Sequence, residues 1–187
     1  NLSRKRIQTL KEWVAQGGVL VGISGTAIRD RYDNPMDEAE ELFGARQTVV
    51  GHSSGGWHAM KIPKHEPIDT VSFGGSDLTP KLEAGVVGVK ARLEPTEGRE
   101  VATFADGSCA AVERAFGEGR TLLMGVMPGL LYAHNAPRKD RLPTTYKESR
   151  RMLVARPALR TVGRPRAEYS EPLTEVCLFE HESGLAV

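Results

Sequence analysis

The stretch Leu10-Lys11-Glu12-Trp13-Val14-Ala15-Gln16-Gly17-Gly18-Val19-Leu20-Val21-Gly22-Ile23-Ser24-Gly25 decides how this chain folds. Upstream of it, Ser3 suits a helix N-cap, because its hydroxyl can accept a backbone N–H of the first turn. Ile7, Leu10, Trp13 and Val14 then recur at three- and four-residue spacing, the period of an amphipathic helix. Gly17-Gly18 ends that helix. Val19 to Ser24 is apolar on both faces, as strands in the middle of a helix-covered parallel sheet are. Helix, Gly-Gly turn and buried strand make the second half of a βαβ unit. Its first strand is then expected before Asn1.

The neighbouring segments follow from that frame. Gly25 to Pro35 is a polar loop at the carboxyl end of the strand, where open α/β sheets hold ligands. Asp30, Arg31 and Asp33 are its candidate ligand or interface residues. Asp37 to Leu42 predicts a short helix stopping at Phe43-Gly44. From Gln47 to Val71 the pattern is strand, turn at Ser53-Ser54-Gly55-Gly56, and a second strand around Trp57 to Ile62, with Pro63 and Pro67 interrupting regular pairing. Val86 to Leu93 alternates as a strand. Val101 to Phe104, Cys109 to Phe116 and Arg120 to Met124, joined by Asp106-Gly107 and Gly117-Glu118-Gly119, predict consecutive hairpins. Thr144 to Leu159 predicts a helix, with Pro157 expected to end or kink it. Glu175 to Val187 predicts a hairpin turning at Glu182-Ser183-Gly184, and its apolar final residues suggest a strand cut short.

Composition narrows the function classes. The 187 residues suffice for one domain with a real core, and 40% hydrophobic with 26% charged residues is ordinary for a globular protein. A net charge of +1 supports no nucleic-acid partner, and no apolar run reaches the roughly 18 residues of a membrane helix. Charge is unevenly placed. Arg138 to Ser170 holds ten Lys or Arg against three acids, which leaves 15 basic and 21 acidic residues elsewhere. That stretch is a solvated linker, a contact between domains or subunits, or a polyanion site poor in aromatic residues. Cys109 and Cys177 exclude a disulfide framework, and their apolar neighbours favour two buried thiols over a single bridge.

The quoted stretch, with Gly22-Ile23-Ser24-Gly25-Thr26-Ala27 at its end, resembles the class I glutamine amidotransferase-like superfamily. There a helix ending in Gly-Gly feeds a strand that runs into a Gly-Ile-Cys-x-Gly nucleophile turn. The acidic loop and Leu42-Phe43-Gly44 within Asp30 to Gly44 resemble a degenerate branch of it, the β-galactosidase trimerisation domain of multidomain glycoside hydrolases. So does Phe104-Ala105-Asp106-Gly107 followed by Phe116-Gly117-Glu118-Gly119-Arg120 and Met124-Gly125. Val176 to Val187 looks like the start of the β-sandwich that often follows. The resemblance implies a flavodoxin-like three-layer α/β fold with a mostly parallel sheet, plus a β-hairpin and a C-terminal β extension. It implies residues 1–136 as the α/β domain, 137–172 as a basic helical arm or linker, and 173–187 as the start of a β-rich domain. It also implies an extracellular or periplasmic home, which no residue here shows.

The departures from that pattern decide the expected chemistry. An amidotransferase needs a thiolate at the turn, a His to take its proton and a carboxylate to orient the His. Position 24 is serine, Thr26 replaces the second glycine, and a polar loop replaces the helix such a turn requires. The expected role is therefore non-catalytic: a structural, oligomerising or interface domain of a larger, carbohydrate-active hydrolase, with other domains of its own polypeptide and further copies of itself as partners. A serine hydrolase is the first alternative, with Ser24 as nucleophile, His65 or His181 as base, and Glu66, Glu182, Glu38 or Asp33 behind it. A small-ligand or sugar module is the second, using Trp57, Tyr132 and His134 beside the Ser24 loop. His52, His58 and His65 match no metal-ligand spacing, and Asp30, Asp33 and Asp37 lack the calcium-loop pattern. No metal and no cofactor are expected.

Overall fold

A computed structural model of the chain describes residues 3–53, 65–134 and 147–163, together with the backbone of two short strands near the C-terminus. Ser3 caps α1 (Arg4–Ala15) by accepting the Arg6 N–H, as expected from sequence. The chain then runs β1 (Val19–Gly22), α2 (Asp37–Phe43), β2 (Ala45–His52), β3 (Asp69–Gly74), β4 (Lys81–Val86), β5 (Val89–Pro95), β6 (Arg99–Phe104), β7 (Cys109–Phe116), β8 (Gly119–Met124), α3 (Pro128–Ala133), α4 (Glu148–Val162), β9 (Phe179–His181) and β10 (Gly184–Ala186). The strand expected at Trp57 to Ile62 lies outside the described residues.

The architecture is mixed α/β, and the expectation of a mostly parallel, flavodoxin-like sheet is corrected. Six strands form one sheet in the order β1-β8-β7-β6-β3-β4, and only β1 and β8 run parallel. The other four pairings are antiparallel. Short connections are the cause. Asp106-Gly107 and Gly117-Glu118 reverse the chain tightly, and a reversed strand can pair only antiparallel with its predecessor. Gly107 (φ 79°) and Gly117 (φ 61°) supply the left-handed conformation these turns need. A separate ribbon pairs β2 with β5, and β9 pairs with β10 as the expected terminal hairpin.

Both faces of the sheet are covered. Along β8 the apolar side chains alternate. Leu122 and Met124 join one cluster with Val71, Phe73, Leu131 of α3 and Leu153 of α4. Leu123 joins another with Phe43 of α2, Ala45 and Leu93 of the ribbon, Cys109 and Val112. Burying a Leu fully stabilises a fold by roughly 1.5–3 kcal/mol, so these alternating residues fix which face each neighbour covers. α1 is tied to α2 through Ile7, Met36 and Ala39.

One further expectation changes. Val86 to Leu93 is not one strand, because Gly88 (φ 96°) breaks it and sends β4 and β5 into different sheets. α4 continues past Pro157 to Val162. It is a packed layer of the domain: Leu153 is fully buried, and Arg150, itself buried, donates to the Leu131 carbonyl at 3.2 Å. Arg156 donates to the Thr79 carbonyl at 3.2 Å, so the cations of the helix are partly spent on internal contacts.

Candidate functional site

The carboxyl ends of the parallel pair β1 and β8 mark the place where an α/β sheet would hold a ligand. In this chain the ribbon lies across them. Ser24, just past β1, is buried; its hydroxyl donates to the Val89 carbonyl of β5 at 3.0 Å, and its N–H donates to the Val126 carbonyl. Just past β8, the Gly125 carbonyl accepts the Ala91 N–H at 2.8 Å, and the Gly125 N–H donates to the Ala110 carbonyl at 2.7 Å. A Cβ at residue 125 would overlap the Ala91 carbonyl oxygen, so β5 crosses at a distance only glycine permits.

The segment after β1 is a folded turn. The Thr26 N–H donates to the Ile23 carbonyl at 2.9 Å, and the Thr26 hydroxyl accepts the Ile23 N–H at 3.0 Å. The Gln47 side chain of β2 accepts the Gly25 N–H and donates to the Thr26 carbonyl, replacing strand-like pairing with an amide. Ala27 sits in the left-handed region (φ 54°), a conformation that costs a non-glycine residue about 1 kcal/mol or more. No helix follows Ser24 directly; α2 begins at Asp37.

Beyond the turn, residues 28–36 form a tight loop organised by Asp30. Its buried carboxylate accepts the N–H of Tyr32 at 2.8 Å and of Asn34 at 3.0 Å, and these bonds, that from Asn34 foremost, hold it below the usual carboxylate range. Arg29 and Pro35 form a β-bridge, and Arg4 of α1 donates to the Pro35 carbonyl and to Glu38. Asp30 is thus a scaffold group whose acceptors are taken. Arg31 and Tyr32 stand at the tip, with the guanidinium 4.7 Å from the ring centroid. An open groove of about 760 Å³ runs between this loop and β2, lined by Gly25 to Arg29, Asp33 and Gln47 to Val49.

The other sequence candidates are placed elsewhere. His134 caps the end of α3, is buried, and bonds through Nε2 to the His65 carbonyl at 2.7 Å. Tyr132 is half-buried on the same helix, and neither residue lines the groove. Glu38 is bound to Arg4, which holds its carboxyl below the ordinary value, and Asp33 pairs with Arg29 at 3.6 Å. Trp57 and the His181 side chain lie outside the described residues. Among the described residues no three His, Cys, Asp or Glu side chains converge as a metal site would require. No helix among them is long and apolar enough to cross a membrane. Cys109 is a buried free thiol, and burial first, then Glu100, pushes it up to about 12. Sequence reasoning missed Val89, Ala91 and Gln47, which occupy the Ser24 site from a distant part of the chain.

No protein-family model matches this chain, and no curated protein does. Solved structures do. The β-galactosidase of Bacillus circulans sp. alkalophilus superposes with a TM-score of 0.56 at 13% identity, over 71% of this chain and 20% of that one. That of the Antarctic haloarchaeon Halorubrum lacusprofundi gives 0.55 at 18% identity, over 87% and 21%. A catalytic mutant of a GH42 β-galactosidase from G. stearothermophilus gives 0.50 at 18% identity, over 67% and 17%. At these identities the likeness is one of fold. The chain spans about a fifth of the length of the β-galactosidase chains it matches.

Proposed function

We propose that this chain is a non-catalytic domain of a larger carbohydrate-active hydrolase, derived from the amidotransferase-like fold and kept for the surfaces it presents to other domains and other copies. One observation carries the non-catalytic part. The ribbon occupies the crevice in which that fold would work, and the Ser24 hydroxyl donates its hydrogen bond to the Val89 carbonyl. A nucleophile must instead donate to a base that can take the proton away. The match to a fifth of several β-galactosidase chains supports the view of a domain within a longer hydrolase.

The test is hydrolysis by the 187-residue chain and by S24A, assayed on nitrophenyl esters, glutamine and nitrophenyl galactoside. A non-catalytic domain gives no turnover above buffer in either protein. Ester or amide hydrolysis by the chain that S24A abolishes, with circular dichroism unchanged, would establish the serine-hydrolase alternative and end this one.

A further inference from the structure

The two edges of the six-stranded sheet are built differently. β4, at one edge, carries exposed Lys81 and Glu83, charges of the kind that keep an edge strand from recruiting another. β1, at the other, reads Val19-Leu20-Val21-Gly22 and carries no charge. Both its faces are packed, as in the middle of a sheet. Val19 lies against the cluster that holds Leu122 and Met124, and Leu20 against the one that holds Phe43 and Leu123. Val21 is still 37% exposed. The backbone of this edge is open as well. The Gly18 carbonyl accepts the Arg120 N–H at 3.0 Å, and alternate residues of a strand turn their N–H and C=O the same way, so Gly18, Leu20 and Gly22 face β8. Val19 and Val21 therefore face outward, and among the described residues β8 is the one strand that β1 pairs with. Ile23, next on that side, gives its N–H to the Thr26 hydroxyl, which ends the open stretch.

The course of the chain says what fits there. α1 begins beside the loop that follows β1, where Arg4 donates to the Pro35 carbonyl at 3.0 Å, and ends just before the Gly17-Gly18 turn that opens β1. Its 12 residues, about 18 Å of helix, run back over the strand. The chain thus enters α1 at the carboxyl end of β1, which is where a strand parallel to β1 would also end. Strand, helix, strand is the connection by which neighbouring strands come to run parallel. We infer that the outer edge of β1 receives a parallel strand from the polypeptide that leads into α1, an apolar extended segment whose main chain bonds to Val19 and Val21. This rests on the reading of the chain as a domain of a longer protein, and it names the surface that joins the domain to what precedes it.

The experiment is amide hydrogen exchange, read residue by residue by NMR, on three proteins. One is the 187-residue chain; the second carries in addition the residues that precede it in its parent polypeptide. The third carries instead a probe strand of alternating Thr and Val, joined ahead of Asn1 by a flexible Gly-Ser linker. In the 187-residue chain, Val19 and Val21 should exchange about ten-fold or more faster than Leu20 and Gly22, which β8 holds. The parent's preceding residues should slow Val19 and Val21 about ten-fold or more at every protein concentration, and leave Leu20 and Gly22 nearly unchanged. Val19 and Val21 already as slow as their neighbours in the monomeric 187-residue chain would overturn the inference, as would slowing that grows with protein concentration, the mark of a second copy. Slowing by the Thr-Val probe but not by the parent's residues would show an open edge with a different occupant, and slowing by neither an edge that takes no strand; both overturn it. Failure of the domain reading is seen separately, because the protein purified from its source would then have the mass of the 187-residue chain alone. None of these results bears on the non-catalytic reading, which stands or falls on the hydrolysis assay.

Discussion

Gly125→Ala is the sharpest perturbation of the way the ribbon is fastened over β1 and β8. The added methyl would stand 3.1 Å from the Ala91 carbonyl carbon and 3.2 Å from the Ala110 oxygen, and would overlap the Ala91 oxygen. All three are backbone atoms, so no rotamer change can relieve the clash. Overpacking of this kind costs about 1–3 kcal/mol. The Gly125–Ala91 and Ala110–Gly125 hydrogen bonds, each worth roughly 0.5–1.5 kcal/mol net, would be stretched by the same shift. Together these give a loss of about 2–4 kcal/mol, a large share of the roughly 5–15 kcal/mol that holds a domain folded. For a chain of this size that is a fall in Tm of about 4–16 °C. Gly129→Ala in α3 is the matched control, because a Cβ there meets nothing within 4 Å and Ala favours a helix. Calorimetry of both variants decides the matter. A G125A Tm within about 2 °C of wild type, or a G129A loss equal to that of G125A, would show that the ribbon does not press on β8 as described.

Four further outcomes follow from the same packing. Leu153→Ala should cost about 2–5 kcal/mol in urea unfolding, with one transition, because Leu153 is fully buried in the cluster that contains β8; a loss under about 1 kcal/mol would mean that α4 is not part of the fold. Ser24→Ala should cost roughly 1–3 kcal/mol by leaving the buried Val89 carbonyl without its donor, a loss read by the same unfolding curves. Asp106, held at about 2 by Ser108 first and then Lys90 and Arg92, and Asp69, lowered by Lys90 and backbone N–H groups against the opposing effect of burial, have folded values below their unfolded ones. Their contribution is complete above the unfolded value near ~4 and is lost as pH falls through the folded values, so the urea midpoint of wild type should drop between about pH 4 and pH 2, and less so in D106N. In a C177S background, Cys109 should resist a disulfide exchange reagent at pH 7 until urea unfolds the chain, since thiolate is the attacking form; rapid native labelling would contradict its burial.

How far the sequence reveals this molecule depends on how local the deciding physics is. Ser3 capping α1, Gly17-Gly18 ending it, and the Asp106-Gly107 and Gly117-Glu118 turns between β6, β7 and β8 involve residues a few positions apart, and each stands where the pattern puts it. The β3–β4 pair is not among the strands expected from sequence, although its burial carries an equally local signal. Val71 and Phe73 are buried around exposed Ser72, and Ala84 and Val86 flank half-buried Gly85, the period-two pattern of half-buried strands. The sheet direction is not legible from β1 alone. Its apolar run suits a parallel strand and does pair parallel with β8, but the directions of the remaining strands are set by their own turns.

The site divides along the same line. Asp30's role is local: an Asp two and four residues before the N–H groups it accepts organises a loop whatever the rest of the chain does. The fate of Ser24 is not local, because the carbonyl that accepts its hydrogen bond lies 65 residues on. No spacing rule links Ser24 to Val89, or Gly125 to Ala91. Those pairs exist because Gly88 breaks the chain after β4 and turns β5 away from the main sheet, over the ends of β1 and β8. A serine just past β1 therefore decides nothing by itself. What covers the end of β1 and β8 is a ribbon pinned by its backbone to a glycine at which even one methyl group would collide.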